Sequence, residues 1–197
     1  VGMLDMVLDV GKIAGRKVSG GAAGPAIIGS GIVASIMGQA VSNVVLTGRL
    51  TVPMMRKYGY KGSMAGAIEA TASTAGQIMP PIMGLAAFII ASFLNKAYID
   101  VALSALIPGL LYLVGVCIAV AVYARRYELP KLVEKVDTER IKRLLPTFII
   151  SFGVVLWLLL GYRSPAIAGL WGIGLALLFS MLQGKFRPTK QQLYDAV

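Results

Sequence analysis

The sequence contains no histidine and one cysteine in 197 residues. Without histidine it lacks the commonest metal ligand and the commonest general base. No nucleophile–base pair is visible, so the chain does not read as an enzyme. A single thiol excludes an internal disulfide framework, and Cys117, inside an apolar run, reads as a small packing residue. Acids are also scarce: nine Asp and Glu against nineteen Lys and Arg, a formal net charge of +10. Such a balance can mark a nucleic-acid partner, but that needs a soluble domain with a basic face. Here the positive residues sit in short clusters between apolar runs, as in cytoplasmic loops of membrane proteins.

What is present is apolar. Hydrophobic residues make up 57% of the chain, above the roughly 45–50% of soluble domains. Several runs exceed the roughly 18 residues that suggest a membrane span. The reading is an all-α integral membrane protein in a lipid bilayer, with no nucleic acid among its partners. The chain begins at Val1 with a basic cluster at 12–17 and shows no signal peptide, so it is expected to be a piece of a longer polypeptide.

The first anomaly is the run 20–49, GGAAGPAIIGSGIVASIMGQAVSNVVLTGR. It places Ser30, Ser35, Gln39, Ser42, Asn43 and Thr47 among apolar residues. The interval from Lys17 to Arg49 is longer than the about 20 residues of one crossing and shorter than the roughly 40 of two. A re-entrant helical hairpin fits, with Gly38-Gln39 or Ser42-Asn43 near its tip. Charge parity agrees. With 18–48 re-entering and 62–95, 101–123, 146–162 and 165–183 crossing, the clusters at 12–17, 49–61, 125–143 and 185–190 share one side, the cytoplasmic one. Only Lys96, Asp100 and Arg163 face the other side. Non-helical backbone at that depth requires surrounding protein or a water-filled cavity.

The second anomaly is 65–94, whose middle reads Gly76-Gln77-Ile78-Met79-Pro80-Pro81. Each proline lacks an N–H and disfavours helix in the residue before it. The expectation is two half-helices around an unwound stretch, Pro80 and Pro81 holding it open. In transporters such helix ends coordinate ions and substrates near the midplane.

Gln39, Ser42, Asn43 and Thr47 in the first anomaly, and Ser73, Thr74 and Gln77 in the second, offer oxygen ligands for a hard cation. Small residues also permit close helix packing, and on composition alone that reading comes first. Two successive interruptions shift the balance to a site. Glu69, the one acid within 62–95, lies eight residues after Lys61. It reads first as a shallow residue in a structural hydrogen bond or ion pair, and second as a proton-coupling residue. Gly20-Gly21 and Gly29-Ser30-Gly31 do not form a phosphate loop, because no Gly-Lys-Ser/Thr follows them.

GQAVSNVVLTGRLTVPMMRKYGY followed by AGAIEATASTAGQIMPPIMGLAAFI closely resembles the large membrane subunit of tripartite ATP-independent periplasmic (TRAP) transporters. ASTAGQIMPPIMG is most similar to fused permeases that work with TAXI-type binding proteins. The resemblance is strong over 20–125 and weaker to 185. It implies a multi-pass permease of the bacterial or archaeal cytoplasmic (inner) membrane. It implies Na⁺-coupled symport of organic anions, often carboxylates, delivered by an extracytoplasmic binding protein. The fold implied is half of an inverted-repeat, elevator-type transporter, with a re-entrant hairpin and a broken helix. The partners implied are the binding protein, a small membrane subunit or fused equivalent, and the remaining half of the permease.

By that resemblance, 1–19 is a cytoplasmic or interfacial connector, 20–56 the re-entrant hairpin and 62–94 the broken transmembrane helix. Residues 101–123 form a transmembrane helix, 124–145 a cytoplasmic connector, 146–183 two scaffold helices and 184–197 a cytoplasmic tail. Ser42, Asn43, Ser73, Thr74, Gly76 and Gln77 would line an ion and substrate site. Ser42, Asn43, Ser73 and Thr74 are the Na⁺ candidates among them, and no other cofactor is expected. A non-transporting scaffold and a channel with a re-entrant pore loop are the alternatives.

Overall fold

The computed structural model describes residues 3–16, 20–80, 82–134, 136–160 and 165–182. They are helical throughout, with short connections and no strand among the described residues. The chain divides into two compact units, Val7–Val136 and a smaller one that joins Val1–Met6 to Asp137–Val197.

The larger unit begins in α1 (Met3–Gly15). The end of α1 meets a 3₁₀ turn, Gly21–Ala23, backbone to backbone: a Cβ on Gly15 or Gly21 would overlap the other residue's main chain. A π-helical turn, Pro25–Gly29, runs into α2 (Ser30–Met37). Helix α2 stops at Gly38, which takes the left-handed conformation (φ +62°) and returns its N–H to the Ala34 carbonyl at 2.8 Å, a glycine C-cap. Gln39 is extended, and α3 (Ala40–Lys57) starts at the next residue. Two residues therefore reverse the chain between α2 and α3.

Helix α3 packs along α4 (Gly62–Thr74). In the 58–61 connection between them, Tyr60 donates to the Gly20 carbonyl at 2.6 Å. Burial, with a smaller contribution from nearby Tyr123, pushes the Tyr60 phenol up to about 12. After α4 comes a 3₁₀ turn, Ala75–Gln77, then residues 78–80 and 82–84, which are not helical, then α5 (Leu85–Phe93). Pro80 lies in that non-helical stretch; Pro81 lies outside the described residues.

The reversal and the interruption clasp each other. Ile82 N–H donates to the Ser35 carbonyl at 3.1 Å. A Cβ on Gly38 would sit 2.7 Å from the Met83 carbonyl oxygen, and one on Gly76 would overlap the Ala34 carbonyl. Helix α6 (Tyr98–Arg126, 29 residues) completes the unit. Its Val116, Val120 and Ala124 enter a core with Ile27, Met55 and Ile68.

Leu103, Ile107, Leu111, Val114, Ile118 and Val122 form an exposed stripe on α6 at helical spacing. Cys117 is exposed beside it and is not a core residue. An outward apolar stripe is costly in water and is solvated by lipid tails. At the end where α3 stops, Lys12 and Lys57 both approach Glu134, at 3.9 and 3.3 Å, and Arg16 donates to its carbonyl at 2.5 Å.

In the smaller unit, α7 (Thr138–Leu160) packs against α8 (Pro165–Leu182). Arg140 lies 3.8 Å from Asp5 and 3.7 Å from Asp137. Tyr98–Arg126 and Thr138–Leu158 are long and apolar enough to cross a membrane. The expected Arg163-Ser164-Pro165 turn falls mostly outside the described residues, and the 184–197 tail entirely so.

Candidate functional site

A polar cluster is sealed inside the larger unit where α3 meets α4. Asn43, Thr47 and Thr51 recur every four residues on α3, and so share a face. Glu69 and Ser73 do the same on α4, and Ser30 opens α2. All six side chains are fully buried. Gly48 lets the helices approach: a Cβ there would lie 3.2 Å from Glu69 Cγ.

Glu69 is the hub. Its Oε1 accepts from Ser30 Oγ at 2.7 Å, Thr47 Oγ1 at 2.5 Å and Ser73 Oγ at 3.3 Å. Its Oε2 accepts from Thr51 Oγ1. None of the described Lys or Arg side chains pairs with it. A buried carboxyl is tolerated only when its hydrogen bonds are met, and here hydroxyls meet them.

Asn43 connects to the hub. Its Nδ2 donates to the Ser30 carbonyl at 3.1 Å and to Ser73 Oγ at 3.0 Å. A carbonyl can only accept, so the contact with Ser30 fixes which end of the amide carries nitrogen. The other end, Asn43 Oδ1, is buried and has no hydrogen-bond partner.

The structure brings two of the four Na⁺ candidates together, Asn43 and Ser73. Ser42 is one residue away from Asn43 on the helix and donates to Gln39 Oε1 at 2.8 Å. Thr74 is exposed and donates back to the Ala70 carbonyl at 2.8 Å. Gly76 is buried against Ala34, and Gln77 is exposed on the 3₁₀ turn. Sequence reading names Thr47 among the possible oxygen ligands and Glu69 as a hydrogen-bonding acid but places neither in the ion and substrate site, and it leaves out the roles of Ser30 and Thr51 altogether. The i, i+4 series Asn43–Thr47–Thr51 and Glu69–Ser73 is the signal that could have found three of these four, Glu69, Thr47 and Thr51, on facing helices; nothing local marks Ser30 as their partner.

Every potential ligand here is an oxygen, which suits a hard cation better than a transition metal. Among the described residues no group of three or more His, Cys, Asp or Glu is placed to hold a metal ion.

All-helical, with two helices of membrane-crossing length and a polar cluster buried beside two helix interruptions, the described residues have the character of a membrane permease. The family model described as "Tripartite ATP-independent periplasmic transporter, DctM component" matches residues 1–195, and the chain belongs to that family. It is a permease component of TRAP transporters, a transport family and not an enzyme family. Membership implies, in general, a substrate-binding protein and a small membrane subunit as partners. No curated protein and no solved structure gives a match to the chain.

Proposed function

We propose that this chain forms part of the Na⁺-coupled core of a TRAP permease that imports organic anions, carboxylates foremost, delivered by an extracytoplasmic binding protein. The observation that carries the cation reading is Asn43 Oδ1, a fully buried acceptor with no partner. An unmet buried acceptor costs about 1–3 kcal/mol. Na⁺, as a transported coupling ion, would relieve that cost. Asn43 Oδ1 meets the ion in this reading, and Ser73 supports it by accepting from Asn43 Nδ2. Ser42, Thr74 and Gln77 lie beside it at less buried positions, where a substrate anion could approach, and Gly76 with Pro80 keeps the interruption open.

The hairpin reading has its own support. Residues before α2 and at the end of α3 meet one acid, Glu134, while the turn between α2 and α3 contacts the interruption after Gln77. An α2–α3 hairpin that enters and leaves on one side of the inner membrane accounts for both. It is the moving element expected of an elevator mechanism.

The test is solute uptake into proteoliposomes that hold the permease with its partners, with and without an inward Na⁺ gradient. Uptake should require the gradient and the binding protein, and should fall at least tenfold in Asn43→Ala at limiting Na⁺, in line with losses of about 10–100-fold for disturbed ion sites. Robust uptake without Na⁺ would sink the coupling. Full uptake in Asn43→Ala would favour a packing role for the cluster.

A further inference from the structure

We propose that Glu69 is the positioning residue and buried counter-charge of the Asn43 cation site, acting through Ser73 without touching the ion; the inference rests on the cation reading above.

The first observation is a relay. Ser73 Oγ has one proton. Given to Glu69 Oε1, 3.3 Å away, it leaves the Ser73 oxygen as an acceptor. Asn43 Nδ2 fills that acceptor at 3.0 Å and the Ser30 carbonyl at 3.1 Å. The amide nitrogen is thus committed on both donors, and Oδ1 is held open on the far side of the group. Glu69 therefore reinforces the amide orientation that the Ser30 carbonyl sets, by keeping the Ser73 oxygen an acceptor for the second N–H.

The second observation is the charge. Four hydroxyls, from Ser30, Thr47, Thr51 and Ser73, surround the carboxyl, and no described cation pairs with it. Hydrogen bonds from neutral hydroxyls stabilise a buried carboxylate but leave its net charge in place. A monovalent cation at Asn43, one side chain removed, is the group that would balance it. Such a counter-charge would give the site a cation preference that the neutral amide alone does not supply.

Glu69→Gln should fold. Thr47 Oγ1 already lies 2.7 Å from the Asn43 carbonyl, and Thr51 Oγ1 lies 3.1 Å from the Thr47 carbonyl. Both hydroxyls can turn to these acceptors when the side chain presents an NH₂.

The experiment measures Na⁺-dependent thermal stabilisation of the purified complete permease in detergent, with choline as the control, alongside Na⁺-dependent uptake. In Glu69→Gln the Na⁺ midpoint should rise about 10–100-fold in both readouts, as for residues that orient ion ligands. Saturating Na⁺ should recover uptake, and Glu69→Asp should bring the midpoint back toward wild type. A Gln variant with an unchanged midpoint overturns the proposal. Should that variant fail to assemble, Ser30→Ala decides. It strips one donor from the carboxylate but keeps the carbonyl that anchors Asn43, and an unmoved midpoint there overturns the proposal equally. A wild-type protein that Na⁺ does not stabilise overturns the cation reading and this one with it. A Na⁺-stabilised wild type with an unaltered Gln variant overturns this one alone.

Discussion

At the residue scale the molecule concentrates its polar interior on a few short side chains. Thr47 shows how tightly they are committed. Its hydroxyl lies 2.5 Å from Glu69 Oε1, 2.8 Å from Ser30 Oγ and 2.7 Å from the Asn43 carbonyl, yet it has one proton to give. The carboxylate is the strongest acceptor of the three. Thr47→Val keeps the shape and removes that donor. It should destabilise the protein by about 1.5–3 kcal/mol, the range for hydrogen bonds to charged groups, read from denaturant unfolding in micelles. Thr47→Ser should cost much less, because it keeps the hydroxyl. Equal losses for Val and Ser would mean that the methyl group, not the donor, matters.

At the element scale two interruptions fit into each other. Helix α2 ends because Gly38 adopts a left-handed conformation, and the chain after α4 departs from helix before Pro80 is reached. At Gly76 the two lie too close for a side chain, a Cβ there overlapping the Ala34 carbonyl. A methyl group at that point has to push the α2 backbone away from the 75–77 turn. Gly76→Ala should therefore cost about 1–3 kcal/mol, as overpacking does. Its effect should reach Asn43, five residues beyond the Gly38 turn, as a weaker response to Na⁺. Thermal stability measured with and without Na⁺ would separate the two effects. By contrast Gly66, whose Cβ would meet nothing within 4 Å, should accept alanine with no loss.

Glycine and proline spacing made both interruptions legible. The sequence left two positions open for the first turn, Gly38-Gln39 and Ser42-Asn43. The structure turns at the former, because Ser42 and Asn43 are already within α3. Which polar residues face inward was only half legible. Ser42 and Asn43 are adjacent, so a helix points them about 100° apart, and only Asn43 enters the cluster. The same holds for Ser73 and Thr74. Glu69, eight residues after Lys61, carried no sign in the sequence of being enclosed by protein. It is fully buried because α3 and Ser30 cover it, and chain distance does not register such cover.

At the scale of the whole molecule, charge and apolar surface are segregated. The larger unit gathers Lys12, Arg16 and Lys57 around Glu134 at one end. The outward face of α6 carries only apolar side chains over several turns. A re-entrant α2–α3 hairpin predicts that Arg16 and Lys57 are reached from the same side of the membrane. Single cysteines, Arg16→Cys and Lys57→Cys in a Cys117→Ala background, should react with an impermeant maleimide from the cytoplasmic side in oriented vesicles. Reaction from opposite sides would mean that residues 20–56 cross the membrane completely.

The sequence by itself determined the class: apolar runs too long and too numerous for water, cationic clusters between them, and glycine and proline where helices must stop. These are local properties, set by the period of the helix, the missing proline N–H and the transfer cost of charge. The site was decided only by tertiary structure. A carboxyl at 69, hydroxyls at 30, 47, 51 and 73 and an amide at 43 acquire meaning when α2, α3 and α4 close around them. Burial and the sharing of a few protons depend on which helix faces are pressed together, and that is not written in any one segment.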